Sequence, residues 1–168
     1  GWAPLYHAIE TGSFGSVALL LDNGADVNDS SGSFKGSPLN WAAGIGEAEI
    51  VELLISKGAN LMHKTESGAT VLHSAVQHKD IVALLLGYGV NLNAVDNDGR
   101  TAIDVLCRVG GGPNNAQPSM ETFEYLSNYL AITIQTDKQI LLKAISVVPK
   151  IYEITRQVKV YDQHGFPM

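Results

Sequence analysis

Apolar positions in residues 37–61 fall into two short stripes of helical spacing with a Gly-Ile-Gly turn between them. Leu39, Ala42 and Ala43 make the first stripe, and Ile50, Val51, Leu53, Leu54 and Ile55 make a broader second one. The pattern predicts a pair of short helices, neither able to bury its apolar face alone. Ser37 before Pro38 supplies an N-cap and a preset first-turn φ. Gly58 stands where the second helix must end in a left-handed conformation that a side chain would penalise. The pair therefore carries its own start and stop signals.

The same unit recurs along the chain. Pro4-Leu5-Tyr6-His7-Ala8 leads to Val17, Leu20 and Leu21 and then Gly24-Ala25-Asp26. Thr70-Val71-Leu72-His73-Ser74-Ala75 leads to Ile81, Val82, Leu85 and Leu86 and then Gly89-Val90-Asn91. A fourth opening stands at Thr101-Ala102-Ile103-Asp104, so openings at 4, 38, 71 and 102 follow one another at intervals of 34, 33 and 31 residues. A period of about 33 with a Thr-Pro-Leu-His-x-Ala type of opening resembles the ankyrin repeat. The resemblance covers residues 3–106 and weakens after Leu106.

The resemblance implies an all-α fold: an ankyrin-repeat solenoid of helix-turn-helix units with short β-hairpin fingers. The repeats are read at about 3–30, 37–64, 70–95 and 101–130, the fourth interrupted by a Gly/Pro/Asn insertion at 109–118. Ser119 caps a helix with Phe123, Leu126 and Leu130 on one side. Residues 131–161 read as a degenerate fifth repeat or C-terminal helical cap, with a helix pair that docks a partner as the rival reading; 162–168 form a tail. At 168 residues the stack is quasi-one-dimensional, each unit buried against its neighbours.

Composition and charge narrow the function. A hydrophobic share of 45 % and a charged share of 17 % suit a folded chain, and no apolar run is long enough to cross a bilayer. Residues 1–104 hold twelve Asp/Glu against five Lys/Arg, so the repeats carry the acidity behind the net charge of −6. Such a surface disfavours nucleic acid and favours a basic or mixed protein surface. The single cysteine, Cys107, can form no internal disulfide, which is simplest in an intracellular chain, cytoplasmic or nuclear. Asn28-Asp29-Ser30 matches the glycosylation acceptor pattern, but nothing else points to secretion. The chain opens at Gly1-Trp2 inside a repeat and reads as a fragment.

His73 and His78 are five apart, a poor spacing for two ligands on one helical face, so no metal site is expected. His73 takes the family's His position and is expected to tie one repeat to its neighbour by hydrogen bonds, while His78 is expected in solvent at a turn shortened by two residues. Asn40 and Trp41 depart from the family opening; Trp41 is read as filler between first helices, with an indole N–H that needs a partner if buried. Asp96-Asn97-Asp98-Gly99-Arg100 reads as a solvated, partner-facing finger rather than a calcium loop or an acid–base pair. No nucleophile elbow, catalytic triad, metal set or phosphate loop is present, and neither a cofactor nor catalysis is expected.

The function that follows is a non-enzymatic, monomeric scaffold binding a partner protein on the concave finger and first-helix face. The resemblance places partner contacts at Phe34, Lys35, Ile45, Glu66, Ser67, Gln77, His78, Asn97, Asp98 and Arg100. Phe34, the large apolar residue of its finger, reads either as a binding anchor or as a side chain folded back on the stack. One alternative is a recognition segment of a larger multidomain enzyme or effector. Another is a substrate of an asparaginyl hydroxylase, with Asn28 and Asn93 as candidate sites in the Gly-x-Asp/Asn-x-Asn pattern and Leu20 eight residues before Asn28.

Overall fold

A computed structural model describes residues 4–31, 36–109 and 119–134. The expected insertion at 109–118 and the helices proposed beyond 134 therefore lie, but for Val109, outside the described residues, as do Phe34 and Lys35. The chain divides into two compact units, 1–123 and 124–168.

In the first unit the helices come in pairs. α1 (Pro4–Glu10) and α2 (Phe14–Asp22) form the first pair; α3 (Pro38–Ile45) and α4 (Ala48–Ser56) form the second. The third is α5 (Val71–Ser74) with α6 (Lys79–Gly87), and α7 (Ala102–Val109) opens a fourth. First helices stack in the order α1, α3, α5, α7, and second helices in the order α2, α4, α6, so each pair packs on its neighbours as a repeat stack requires. The core is drawn from the apolar positions read from the periodicity: Leu39, Ala42, Ala43, Val51 and Leu54 have no exposed area and Leu72, Ile81, Val82, Leu85 and Leu106 are at most 1 % exposed, whereas Leu20, Leu53 and Ile55 are half-buried. Alanines at 42, 43, 75 and 102 let the first helices approach closely.

Helix ends follow the expected signals. Ser37 and Asn40 form a reciprocal box: the Asn40 N–H donates to Ser37 Oγ, and Ser37 N and Oγ donate back to Asn40 Oδ1. Gly58, at φ +89°, closes α4: its N–H bonds to Ile55 O and that of Ala59 to Leu54 O. The same pair of hydrogen bonds recurs at Gly24 and Gly89, so the three second helices end alike. The third turn has lost two residues and its glycine, and α5 shortens to four residues in consequence.

The fingers are tighter than a strand ladder. Thr65 N–H bonds to Ala69 O and Asp96 N–H to Arg100 O, one rung each, and no strand occurs among the described residues. α8 (Met120–Ile134) starts as expected at Ser119, whose Oγ accepts from the Thr122 N–H. It runs past the boundary expected at 130, and the division between the two units falls inside it. In the second unit the described residues are 124–134, where the Tyr125 and Tyr129 rings lie 6.5 Å apart.

Candidate partner-binding face

The fingers are positioned by one recurring device. The third residue of each first helix supplies it: Asn40, His73 and Asp104 cap their own helices, and Tyr6 and His73 reach the backbone just before the next. In the third repeat, Thr70 N and Oγ1 donate to His73 Nδ1, at 3.2 and 2.8 Å. Because Nδ1 accepts, the ring proton sits on Nε2, which donates to Arg100 O at 2.9 Å. His73 is buried and has the linking role expected of it. In the first repeat Tyr6 stands at this position, its hydroxyl 2.6 Å from Gly36 O and 2.5 Å from Asp29 O, so one phenolic proton is shared by two carbonyls. Burial, with the nearby Asp29 charge, pushes the Tyr6 pKa up to about 12. Asp29 itself is held below the usual carboxylate range by hydrogen bonds from Ser31, against the opposing effect of its burial.

In the second repeat the position is Asn40, 1 % exposed. Its Oδ1 is satisfied by Ser37, but its Nδ2 has no hydrogen-bond partner among the described residues. An imidazole carries its second nitrogen farther from the backbone than an amide does, which is why His73 spans the gap between repeats and Asn40 does not. In the fourth, Asp104 Oδ2 accepts from Thr101 N and Oγ1.

In the finger at 96–100, residues 97–99 are exposed as expected of a solvated loop, but Asp96 is not. Asp96 is buried, its Oδ1 accepting from the backbone N–H of Asp98 and Arg100 and its Oδ2 from the Arg100 guanidinium at 2.8 and 2.7 Å. Burial opposes ionisation of Asp96, but the hydrogen bonds from Arg100 and Asp98 and the Arg100 charge outweigh it and hold the carboxyl below its usual range. Arg100 also pairs with Asp98 at 2.6 Å, and its pKa is raised chiefly by the hydrogen bond to Asp96. Its cation is thus neutralised within the finger. Consecutive fingers are joined as well: Asn97 N donates to Ser67 O and Asn97 Nδ2 to Glu66 O, each at 2.9 Å. Gly68 makes this approach possible, since a Cβ there would stand 2.7 Å from Asn97 N.

Of the ten positions assigned to partner contact, Phe34 and Lys35 lie outside the described residues and the other eight fall into separate places. Glu66, Ser67, Asn97, Asp98 and Arg100 come together on the two joined fingers, which precede the first helices α5 and α7. Ile45 instead ends α3, and Gln77 and His78 lie at the turn that follows α5. Ile45 is 37 % exposed. Gln77 is half-buried and accepts the Ser119 N–H through Oε1. His78 is not free in solvent: it is half-buried, and Nε2 donates to Gly44 O at 3.2 Å. The shortened turn draws its ring over Gly46, where an added Cβ would meet it at 2.6 Å.

The two asparagines named as hydroxylation candidates also differ. Asn28 bridges consecutive fingers: its Oδ1 accepts from Asn60 N at 2.7 Å and its Nδ2 donates to Gly58 O at 3.3 Å. Asn93 uses its own N–H to close a turn on Asn91 Oδ1. Position 62, equivalent to both, holds Met62, which is 72 % exposed and offers no such bridge. The bridging role of Asn28 and the Asp96–Arg100 pair were not foreseen. The only signal for either was recurrence, Asn at matching finger positions and a carboxylate four residues before an arginine.

Among the described residues no group of three His, Cys, Asp or Glu side chains could hold a metal ion, and no helix is long and apolar enough to cross a membrane. Stacked helix pairs joined by polar fingers define a helical repeat protein. A family profile described as "Ankyrin repeats (3 copies)" matches residues 39–137, and one described as "Ankyrin repeats (many copies)" matches residues 5–55. The chain belongs to the ankyrin-repeat family. It is 33 % identical over 109 residues to a "Transient receptor potential cation channel subfamily A member 1 homolog" of Caenorhabditis elegans, covering 64 % of this chain and 9 % of that protein. It is 33 % identical over 108 residues to "SH3 and multiple ankyrin repeat domains protein 1" of Homo sapiens, covering 62 % and 5 %. With "Palmitoyltransferase AKR1" of Lachancea kluyveri it shares 29 % over 93 residues, or 52 % and 13 %. The chain thus spans a small fraction of the length of these relatives.

Proposed function

We propose that this chain is a non-catalytic protein-binding module whose partner lies across the fingers and first helices, the concave side of such a stack. The observation that carries the reading is the joined pair of fingers. Asn97 fixes the finger at 65–69 to that at 96–100, so Glu66, Ser67, Asn97 and Asp98 are exposed on a surface whose ordering cost is already met before a partner arrives. Asp98 and Glu66 give the surface its acidic rim, and Arg100, paired with Asp96 and Asp98, stiffens it more than it offers a free cation. Phe34 and Ile45 are the apolar contacts of the same reading, and the partner is a protein with a basic or mixed surface. The place of the chain is intracellular on this reading.

The test is a pull-down with the 168-residue chain beside the variant Glu66→Lys/Asp98→Lys, with circular dichroism to show that both are folded. Prey captured by the native chain and lost from the variant supports the finger face. Prey held equally by both sinks it.

A further inference from the structure

A different face of the stack carries a second surface. The second helices α2, α4 and α6 end at Gly24, Gly58 and Gly89, and five residues before each stands a leucine: Leu19, Leu53 and Leu84. These leucines occupy one register in three successive repeats, and none is fully buried. Leu19 is 64 % exposed, and Leu53 and Leu84 are half-buried, while their neighbours Val51, Leu54, Val82 and Leu85 fill the core. Phe14 at the start of α2 and Tyr88 just after α6 are also about half exposed. Phe14, Leu53 and Tyr88 line one open groove of about 590 Å³ across α4, with Glu49, Glu52 and Ser56 as its polar lining.

The charge of the groove says what fits it. Glu49 and Glu52 lie three apart on the same face of α4, where like charges repel. Neither forms an ion pair or hydrogen bond among the described residues. Lys57, the cation nearest to them in sequence, is held by Asp22 at 2.7 Å. A row of leucines, two aromatic rims and two uncompensated carboxylates are complementary to cations on an apolar backing, since aromatic faces and carboxylates both attract ammonium and guanidinium groups. A second copy of this chain fits poorly, because its net charge is −6 and its own groove would bring further carboxylates to these. Nucleic acid and acidic lipid are repelled for the same reason.

We propose that the α2–α4–α6 face is a docking site for a basic amphipathic peptide segment of a partner protein. Its apolar side chains lie along Leu19, Leu53 and Leu84, and its lysines or arginines meet Glu49 and Glu52. This surface is separate from the finger face and does not depend on it.

The probe is a fluorescein-labelled lysine–leucine peptide with its leucines on one helical face, titrated with the full chain by fluorescence anisotropy. A scrambled peptide of equal composition serves as control. The native chain should bind the patterned peptide saturably, and Glu49→Gln/Glu52→Gln should weaken it about tenfold, as should Leu53→Ser. The finger variant Glu66→Lys/Asp98→Lys should leave binding unchanged. Both glutamates are exposed, so their double variant keeps its fold, which circular dichroism verifies. Equal binding of the scrambled peptide, or unchanged affinity in the double Gln variant, overturns the proposal. So does a dimer by sedimentation that Leu53→Ser dissolves.

Discussion

The joint between the second and third repeats and the joint between the third and fourth are built from equivalent positions, yet they are held differently. At the later joint, His73 caps its own helix through Nδ1 and ties Arg100 O through Nε2. At the earlier one, Asn40 caps its own helix equally well and leaves Nδ2 without a partner among the described residues. The finger bridge made by Asn28 between the first two repeats is likewise missing where Met62 replaces it. Among the links at the earlier joint are His78 on Gly44 and Lys64 on Val95, both reached by water. Capping and linking are therefore separable tasks: an amide suffices for the first, and only a longer polar side chain performs both.

The largest expected effect comes from erasing the later link. His73→Ala removes the cap acceptor and leaves buried backbone groups unpaired, so it should cost about 3 kcal/mol in urea unfolding, from roughly 1–3 kcal/mol for each group stranded. A loss below about 1 kcal/mol would mean that the link contributes little beyond the cap. His73→Asn, which copies the earlier joint into the later one, should cost less than His73→Ala because the cap survives.

The Tyr6 joint is probed by alkali. Its folded pKa of about 12 lies above the unfolded value near 10, so its contribution is complete below pH 10 and is lost as pH rises to about 12. By linkage a shift of that size corresponds to roughly 2–3 kcal/mol. Melting curves of the native chain and of Tyr6→Phe should converge across that window. If the gap between them stays constant, the phenol is not the titrating group.

Glycines sharpen the same contrast at the fingers. Gly68→Ala must take φ +77° and push a Cβ against the Asn97 backbone, which is fixed. It should therefore cost more than Gly58→Ala, whose Cβ would meet nothing and whose expense is the positive φ alone, about 1 kcal/mol. Equal melting midpoints for the two variants would refute the close finger contact. The smallest effect is a gain. Asn40→His should add about 1 kcal/mol by supplying the missing reach, and a lower midpoint would show that the joint cannot accept the ring.

Much of this was legible because it is local. Ser37, Pro38 and Gly58 announce helix ends through backbone conformations that neighbours hardly alter, and the interval between openings fixes the stack. The burial of Asp96 is not legible, because in sequence it looks as solvated as Asp98. A left-handed bend at Gly99 brings Arg100 back over Asp96, which side-chain spacing alone does not show. The contact of His78 with Gly44 is hidden for a similar reason: the sequence shows that the turn is shortened, but not the direction in which it draws the ring. Leu53 read as one more residue of an apolar helix face, and its partial exposure depends on what α2 and α6 leave uncovered. The fingers are legible as candidate contacts, whereas the mutual bonds that fix them join residues about 30 apart in sequence and leave no local signal.

The gap beside Asn40 has a mechanical consequence. In a stack where each pair touches only its neighbours, tension applied from end to end passes through every joint in series. Of the joints between α1 and α7, the one between α3 and α5 should part first, where solvent-exposed links carry polar load. The first two helix pairs would then separate as one block, still tied by Tyr6 and Asn28. Filling that gap with histidine should raise the force at which the first block comes away.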